Sequence, residues 1–236
     1  MRYILLPENA DRRLSFYLAM EEHVARCVDE QDAFFLWQVQ PSVIFGRNQL
    51  MENEVNTEYC LRHGIEMYRR KSGGGCVYAD MGNVMLSYIT HDEHVDFAFN
   101  RFINMIQLVL RKLGIEATCT AHNDVLIGDK KVSGTACYHL PGRSIVHATL
   151  LYDTCMEHML QAITPSKEKL QSKGIQSVRQ RITLLKDHTS LSLDELKAFI
   201  RATLCEGERI LTVDDVAAIA QLEQTYLKET FIHLQP

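Results

Sequence analysis

Two stretches of the chain carry residue types that can act on a charged substrate. The first spans residues 68–80 and reads Y-R-R-K-S-G-G-G-C-V-Y-A-D. Arg69, Arg70, Lys71 and Ser72 run directly into Gly73, Gly74 and Gly75. Ordering consecutive glycines is costly, because glycine loses more backbone freedom on folding than any other residue. A run of three is therefore expected where the main chain must approach something closely. Three adjacent cations make an anion the expected guest. The competing reading is a glycine-rich hairpin turn beside a solvated basic cluster. A Walker-type phosphate loop is excluded, since Lys71 precedes the glycines and no G-K-[ST] follows.

The second stretch, residues 122–136, reads H-N-D-V-L-I-G-D-K-K-V-S-G-T-A. Alternate side chains of a strand share a face. Lys131, Ser133 and Thr135 are thus expected on one face and Val132 on the other, so that a lysine and two hydroxyls floor a pocket. The plain alternative is an exposed hairpin with Lys130 and Lys131 solvated. Asn123 and Asp124 also suit a simple turn, and His147, between Val146 and Ala148, reads as a satisfied core histidine. Cys119-x-x-His122 and Cys155-x-x-His158 lack the tighter signature of a zinc site. No G-x-S-x-G marks a serine hydrolase.

These residues need a scaffold, and the chain can supply one. Its 236 residues, 46% hydrophobic and 23% charged, fall in the globular range and fit one domain over 1–236. A formal net charge of −5 argues against a nucleic-acid coat. No apolar run approaches the ~20 residues of a membrane span, and residues 1–8 lack the pattern of a secretory signal. Seven dispersed cysteines suit reduced thiols in a cytoplasm. Strands are expected at 1–6, 33–40 with a break at Pro41, 42–45, 83–90, 115–119, 124–127, 131–135 and 145–152. Helices are expected at 11–28, capped by Asn9 or Asp11, at 57–63 before Gly64, and at 97–113 before Gly114. Capping boxes at Ser192 and Thr212 start two more. Gly128-Asp129 is a tight hairpin turn. Hairpins with helices grouped around them indicate an α+β fold.

Taken together, the motifs resemble the lipoate-protein ligase A family, within the biotin/lipoate ligase fold. The resemblance rests on Arg69-Arg70-Lys71-Ser72-Gly73-Gly74-Gly75 with Val77 and Asp80 in phase, Gly82-Asn83, Gly46-Arg47-Asn48-Gln49, and Asn123-Asp124. It continues through Lys131-Val132-Ser133-Gly134-Thr135-Ala136, His147-x-Thr149-Leu150-Leu151 and Lys173-Gly174-Ile175-x-Ser177-Val178-x-x-Arg181. The implied fold is a mixed, largely antiparallel sheet arrangement flanked by helices, like that of class II synthetases. The implied reaction has two steps. The carboxylate of lipoate, or octanoate, attacks the α-phosphate of ATP, giving the acyl-adenylate and pyrophosphate. A lysine of a lipoyl domain then takes the acyl group.

By the same resemblance Lys131 is the catalytic cation, bridging acyl carbonyl and phosphate oxygens, and Arg70 grips a phosphate oxygen. Gly73, Gly74 and Gly75 let the backbone approach the ligand, Asn83 and Asp124 hold the nucleotide and its Mg²⁺, and Val77 and Tyr78 line the acyl slot. Ser72, Cys76, Asn123, Ser133, Gly134, Thr135, His147 and Thr149 complete the implied site. ATP with Mg²⁺ is a co-substrate, and no tightly bound cofactor is expected. The implied partners are lipoyl domains of 2-oxoacid dehydrogenase E2 subunits and the glycine-cleavage H protein, without nucleic acid or membrane.

The family's V-x-H-D is Val77-Tyr78-Ala79-Asp80 here, and its H-G-[ST] is His147-Ala148-Thr149. The chain ends at Pro236, so the family's C-terminal accessory domain is expected to be absent and replaced by a separate accessory protein. Two other readings remain open. One is an octanoyl- or lipoyltransferase that holds the acyl group on Cys119 and needs no ATP. The other is a non-catalytic binder of lipoyl-AMP or lipoyl domains.

Overall fold

The computed structural model describes residues 1–92, 94–120, 124–163 and 181–234. Its centre is β6 (Asn83–Thr90), N-V-M-L-S-Y-I-T, in which every residue is buried. Such a strand must be covered on both faces, and the strand register shows how. Met85 and Ile89 join a core with α1 (Leu14–Cys27) and α7 (Val213–Tyr226), whereas Val84, Leu86 and Tyr88 join a core with α4 (Val95–Lys112) and α6 (Leu193–Leu204). The period-two alternation of one strand thus supplies two cores.

Around β6, the described residues form an eight-stranded sheet. Its other members are β1 (Arg2–Leu5), β2 (Asp32–Trp37), β7 (Thr118–Cys119), β8 (Asp124–Ile127), β9 (Lys130–Leu140), β10 (Arg143–Leu151) and β11 (Gly207–Ile210). The order is β11-β1-β2-β6-β10-β9-β8-β7, with β1 parallel to both β11 and β2 and the remaining pairs antiparallel. A smaller sheet, β4-β3-β5, is built from β3 (Ser42–Phe45), β4 (Glu66–Arg69) and β5 (Val77–Ala79). It packs with α2 (Met51–Glu54), α3 (Thr57–Arg62) and α5 (Met156–Ala162) around Val43, Phe45, Met51, Cys60 and Met159. The fold is therefore α+β, with mixed, largely antiparallel sheets flanked by helices, as the sequence implied.

Several local expectations hold. Ser192 and Thr212 both form complete capping boxes. Gly64, Gly114 and Gly128 adopt φ of 64°, 78° and 62°, the left-handed region at which glycine ends a helix or turns a hairpin. Others shift. The first helix starts at Leu14, and its N-cap Arg13 offers no side-chain bond, so neither Asn9 nor Asp11 caps it. Strand β9 runs on to Leu140 instead of stopping at Thr135, paired with β10 as far as Arg143. Strand β11 was not foreseen. Its four residues, G-E-R-I, are mostly exposed at the sheet edge and carry no alternation.

The most consequential difference is a bulge. On β9, Ser133 pairs with Val125 but Lys131 pairs with Leu126, so Val132 is an extra residue opposite one step of β8. A bulge of this kind reverses which residues share a face. Ser133 pairs laterally with Leu150, and Thr135 with Ala148, both members of the α4–α6 core. Lys131 instead falls on the face of Gly134, so the predicted trio of Lys131, Ser133 and Thr135 is split. The hydroxyls of Ser133 and Thr135 are buried without a hydrogen-bond partner among the described residues.

Leu110 is fully buried in the α4–α6 core. Leu110→Ala is expected to lower stability by about 2–5 kcal/mol, read as a lower urea midpoint, because the cavity left behind adds to the lost transfer energy.

Candidate active site

A cavity of about 560 Å³ opens on the α1 side of the large sheet, where the small sheet meets it. Leu18, Trp37, Ile44, Val77, Met85 and Leu151 give it an apolar wall, with Tyr78 and Met159 beside them. The same lining includes Arg70, Asp124, Lys131, Arg181, His147 and Thr149, joined by Gln49 and Glu54. Its apolar side chains can bury a chain of methylenes and its cations can hold an anion.

The position of Lys131 follows from the bulge. Its Nζ lies 2.7 Å from Asp124 Oδ1, and the guanidinium of Arg181 meets the other carboxylate oxygen. The Thr183 N–H donates to the Lys131 carbonyl at 2.9 Å, tying this end of β9 to the segment that carries Arg181 and Ile182. The amine crosses directly over Gly134, where a Cβ would sit 2.5 Å from Nζ and 2.8 Å from Cε. Glycine is required there because the lysine occupies the space of its missing side chain. Asp124 keeps two cations together against their repulsion.

The glycine stretch is organised differently from the expectation of three cations facing an anion. Arg69, 1% exposed, donates to the carbonyls of Arg47, Gln49, Ile232 and Leu234, and so ties α8 (Glu229–Ile232) to the turn after β3. Lys71 turns toward α1, with Nζ 2.5 Å from Glu22 and 4.8 Å from the Tyr226 ring centroid. Arg70 alone borders the cavity. Four of its five N–H donors go to Ser72 Oγ (2.9 Å), Ile44 O (3.0 Å), Gly73 O (2.7 Å) and Gly75 O (2.8 Å). The fork expected to grip a phosphate is thus a staple for the glycine turn. Burial lowers the guanidinium to about 10, so it stays charged at neutral pH. Gly74 has a φ of 92°, and its carbonyl lies where a Cβ on Gly46 would be, 2.1 Å away.

His147 lies on β10 with both ring nitrogens engaged, Nδ1 3.0 Å from Glu21 and Nε2 2.8 Å from Ser72 Oγ. It is both satisfied, as the bland reading had it, and part of the cavity wall. Gly74, Gly75, Cys76, Val77, Tyr78, Asp124, Lys131, Gly134, Thr135 and Thr149 also border the cavity. Gly73, Ser72, Asn83 and Ser133 do not. Asn83 sits behind β5, donating to the Tyr78 carbonyl at 3.2 Å, which places it as a support for the wall. Asn123 and the 173–178 motif lie outside the described residues.

Cys119, the alternative nucleophile, is exposed on β7 and does not border the cavity. Burial of part of its side chain raises the thiol, which works against a thiolate. Cys76 does border the cavity, but burial first and Glu54 second push its thiol up to about 12.

Glu21, Trp37, Glu54 and Arg181 were missed as site residues. Glu21 had a visible signal: in the stripe Leu14, Leu18, Val24, Ala25, Val28 it occupies an apolar position of α1, and a carboxylate there must find a buried partner.

Residues 14–205 match the lipoyl protein ligase A/B catalytic domain. The chain belongs to this family. It is 40% identical over 167 residues to the lipoate-protein ligase LplJ of Bacillus subtilis, covering 70% of this chain and 50% of that protein. It is 37% identical over 191 residues to lipoate–protein ligase 1 of Staphylococcus aureus, covering 79% of this chain and 58% of that one. The chain thus spans between half and three fifths of the length of these curated relatives. Among solved structures, a bipartite lipoate protein ligase from Thermoplasma acidophilum, described with its E2 lipoyl domain, superposes with a TM-score of 0.86 at 26% identity. That match covers all of this family member and 97% of the archaeal chain.

Gly46→Ala sets a Cβ against the Gly74 carbonyl, a backbone atom that cannot rotate away. It is expected to cost about 1–3 kcal/mol of stability by overpacking, measured by urea denaturation.

Proposed function

We propose that this chain carries the catalytic machinery of a lipoate–protein ligase, joining lipoate to ATP as lipoyl-AMP and passing the lipoyl group to a lysine of a lipoyl domain. One observation carries the reading. The Lys131 ammonium lies across Gly134 in a cavity lined by apolar side chains and by Gly74 and Gly75 of the glycine turn. Family membership supports the same chemistry.

Activation brings a carboxylate against a phosphate, and the repulsion must be offset by fixed positive charge. Arg70, Lys131 and Arg181 border the cavity with two carboxylates, Asp124 and Glu54, so these lining groups carry a net positive charge. Lys131 contacts the acyl carbonyl and a phosphate oxygen of the adenylate, drawing electron density from the acyl carbon in both steps. In the first step it offsets charge on the phosphate; in the second it helps AMP leave as the acceptor amine attacks. Each methylene of the acyl chain buried between Trp37, Val77 and Met85 contributes about 0.8 kcal/mol, which favours lipoate and octanoate over short acids.

Among the described residues no three His, Cys, Asp or Glu side chains stand together as a metal cage. Asp124 is a single carboxylate already facing two cations. Such a site suits Mg²⁺ that enters with the nucleotide's phosphates, since this ion is commonly held by one or two carboxylates together with substrate. Mg²⁺ would then screen the phosphates that the incoming carboxylate approaches.

The acceptors are lipoyl domains of 2-oxoacid dehydrogenase E2 subunits and the glycine-cleavage H protein, with a separate accessory chain supplying what longer relatives carry in one polypeptide. The archaeal neighbour, itself bipartite and matched almost end to end, supports that arrangement. Seven free cysteines support a reducing, cytoplasmic setting. No helix among the described residues is long and apolar enough to cross a membrane.

The test mixes the purified chain with apo lipoyl domain and lipoate, with and without Mg-ATP, and reads the acceptor's mass. Synthetic lipoyl-AMP in a parallel sample isolates the transfer step. Lys131→Ala is expected to reduce both half-reactions by about 10²–10³-fold while the fold survives, as for the loss of a group that stabilises transition-state charge. Near-normal lipoylation by that variant refutes the assignment. Gly134→Ala leaves the lysine in place chemically but pushes its amine aside. It is expected to lose at least about tenfold in lipoyl-AMP formation, a small misplacement being enough.

A further inference from the structure

From the cavity wall inward runs a chain of buried polar groups joined by hydrogen bonds. Trp37 Nε1–H donates to Ser87 Oγ at 2.8 Å, and Ser87 O–H donates to Glu21 Oε1 at 2.5 Å. From the other side, His147 Nδ1 lies 3.1 Å and 3.0 Å from the two Glu21 oxygens, and Ser72 Oγ lies 2.8 Å from His147 Nε2. Ser72 Oγ also accepts from Arg70 Nε at 2.9 Å. Glu21, Ser72 and Ser87 are at most 3% exposed.

With a neutral imidazole the hydrogens in this chain have one consistent arrangement. Arg70 can only donate, so Ser72 accepts from it and turns its own O–H to His147 Nε2. That nitrogen is then the acceptor, which places the ring hydrogen on Nδ1, facing Glu21. From Arg70 Nε on one side and Trp37 Nε1 on the other, the hydrogen bonds run toward one carboxylate. At the far end, Arg70 Nη2 holds the carbonyls of Gly73 and Gly75. The peptides are trans, so each held carbonyl turns the next N–H the opposite way. Those N–H groups belong to Gly74 and Cys76, both on the cavity wall.

We propose that Glu21 is a positioning residue: acting through His147, Ser72 and Arg70, its carboxylate sets the direction in which the Gly74 and Cys76 amides face the cavity. Only the kinetic half of its test rests on the ligase reading. Without the carboxylate, the imidazole no longer has a reason to keep its hydrogen on Nδ1, Ser72 loses its acceptor, and Arg70 is released from one side of the turn.

The test compares Glu21→Met, Glu21→Gln, Ser72→Ala and the Glu21→Met/Ser72→Ala double variant. In spectra of ¹⁵N-glycine-labelled protein, Glu21→Met is expected to move the amide signals of Gly73, Gly74 and Gly75 while those of Gly114, Gly128 and Gly142 stay. Ser72→Ala is expected to move the same three. In lipoyl-AMP formation, Glu21→Met is expected to lower kcat by about 10- to 100-fold, less than removal of a donor outright, with KM for lipoate little changed. Glu21→Gln keeps an acceptor for Nδ1–H and is expected to recover part of that loss. The double variant is expected to be no worse than Glu21→Met alone, because both break one series of contacts. Unmoved glycine signals, or additive losses, or an activity loss that merely follows the melting temperature with Glu21→Gln as low as Glu21→Met, each overturn the proposal. If the unaltered chain, with accessory protein supplied, makes no lipoyl-AMP, the ligase reading fails, and the glycine signals still decide whether Glu21 holds the turn.

Discussion

A guanidinium buried beneath a glycine turn is the constraint from which the rest of the site follows. An unpaired charge cannot be taken from water without large cost. Arg70 is 4% exposed and answers that cost with three carbonyls and a hydroxyl. Gly74, at a φ of 92°, supplies the left-handed residue with which the turn brings Gly73 O and Gly75 O onto one nitrogen. The glycines are there for the arginine as much as for a ligand. The same close packing explains Gly46, whose missing Cβ leaves room for the Gly74 carbonyl.

Helix α1 anchors this turn with three consecutive polar residues, each buried and each aimed elsewhere. Glu21 holds His147, Glu22 holds Lys71 and the Tyr226 hydroxyl, and His23 pairs with Asp215 at 2.8 Å. Two of these contacts reach α7, and Arg69 reaches the carbonyls around α8. The basic triplet therefore joins the glycine turn to the last helices as well as to the first. A charge that looks like bait for an anion becomes structural when a buried carboxylate or carbonyl lies closer than solvent.

On the other side of the cavity the decisive feature is one extra residue. The Val132 bulge lets Lys131 leave the parity of Ser133 and join that of Gly134. A regular strand would have sent the amine into the α4–α6 core, where no partner for it lies among Val125, Leu150 and Ala148. Bulge, lysine and glycine work as one unit: the first aims the second, and the third makes room for it. The sheet behind them, with β6 buried along its whole length, keeps that geometry from drifting.

Much of this was legible in the residues. The buried run of β6, the stripe of α4, both capping boxes and the Gly128 hairpin are short-range properties, fixed by periodicity and by backbone preferences within a few positions. The motif order likewise pointed to the family that residues 14–205 match. The sequence alone also determined which side chains were available for the chemistry: a lysine before a glycine, and a tri-glycine run after three cations. It did not determine where they aim. Lys131 was assigned the wrong companions because a bulge arises from pairing between two strands. Arg69, Arg70 and Lys71 were read as one cluster because their partners, such as Leu234, Gly75 and Glu22, are not recorded in their spacing. Glu21 and His147 stand 126 positions apart, and their contact exists only once a helix and the sheet have packed. Local order is encoded by neighbours along the chain; the partner a buried charge finds is decided by the burial itself.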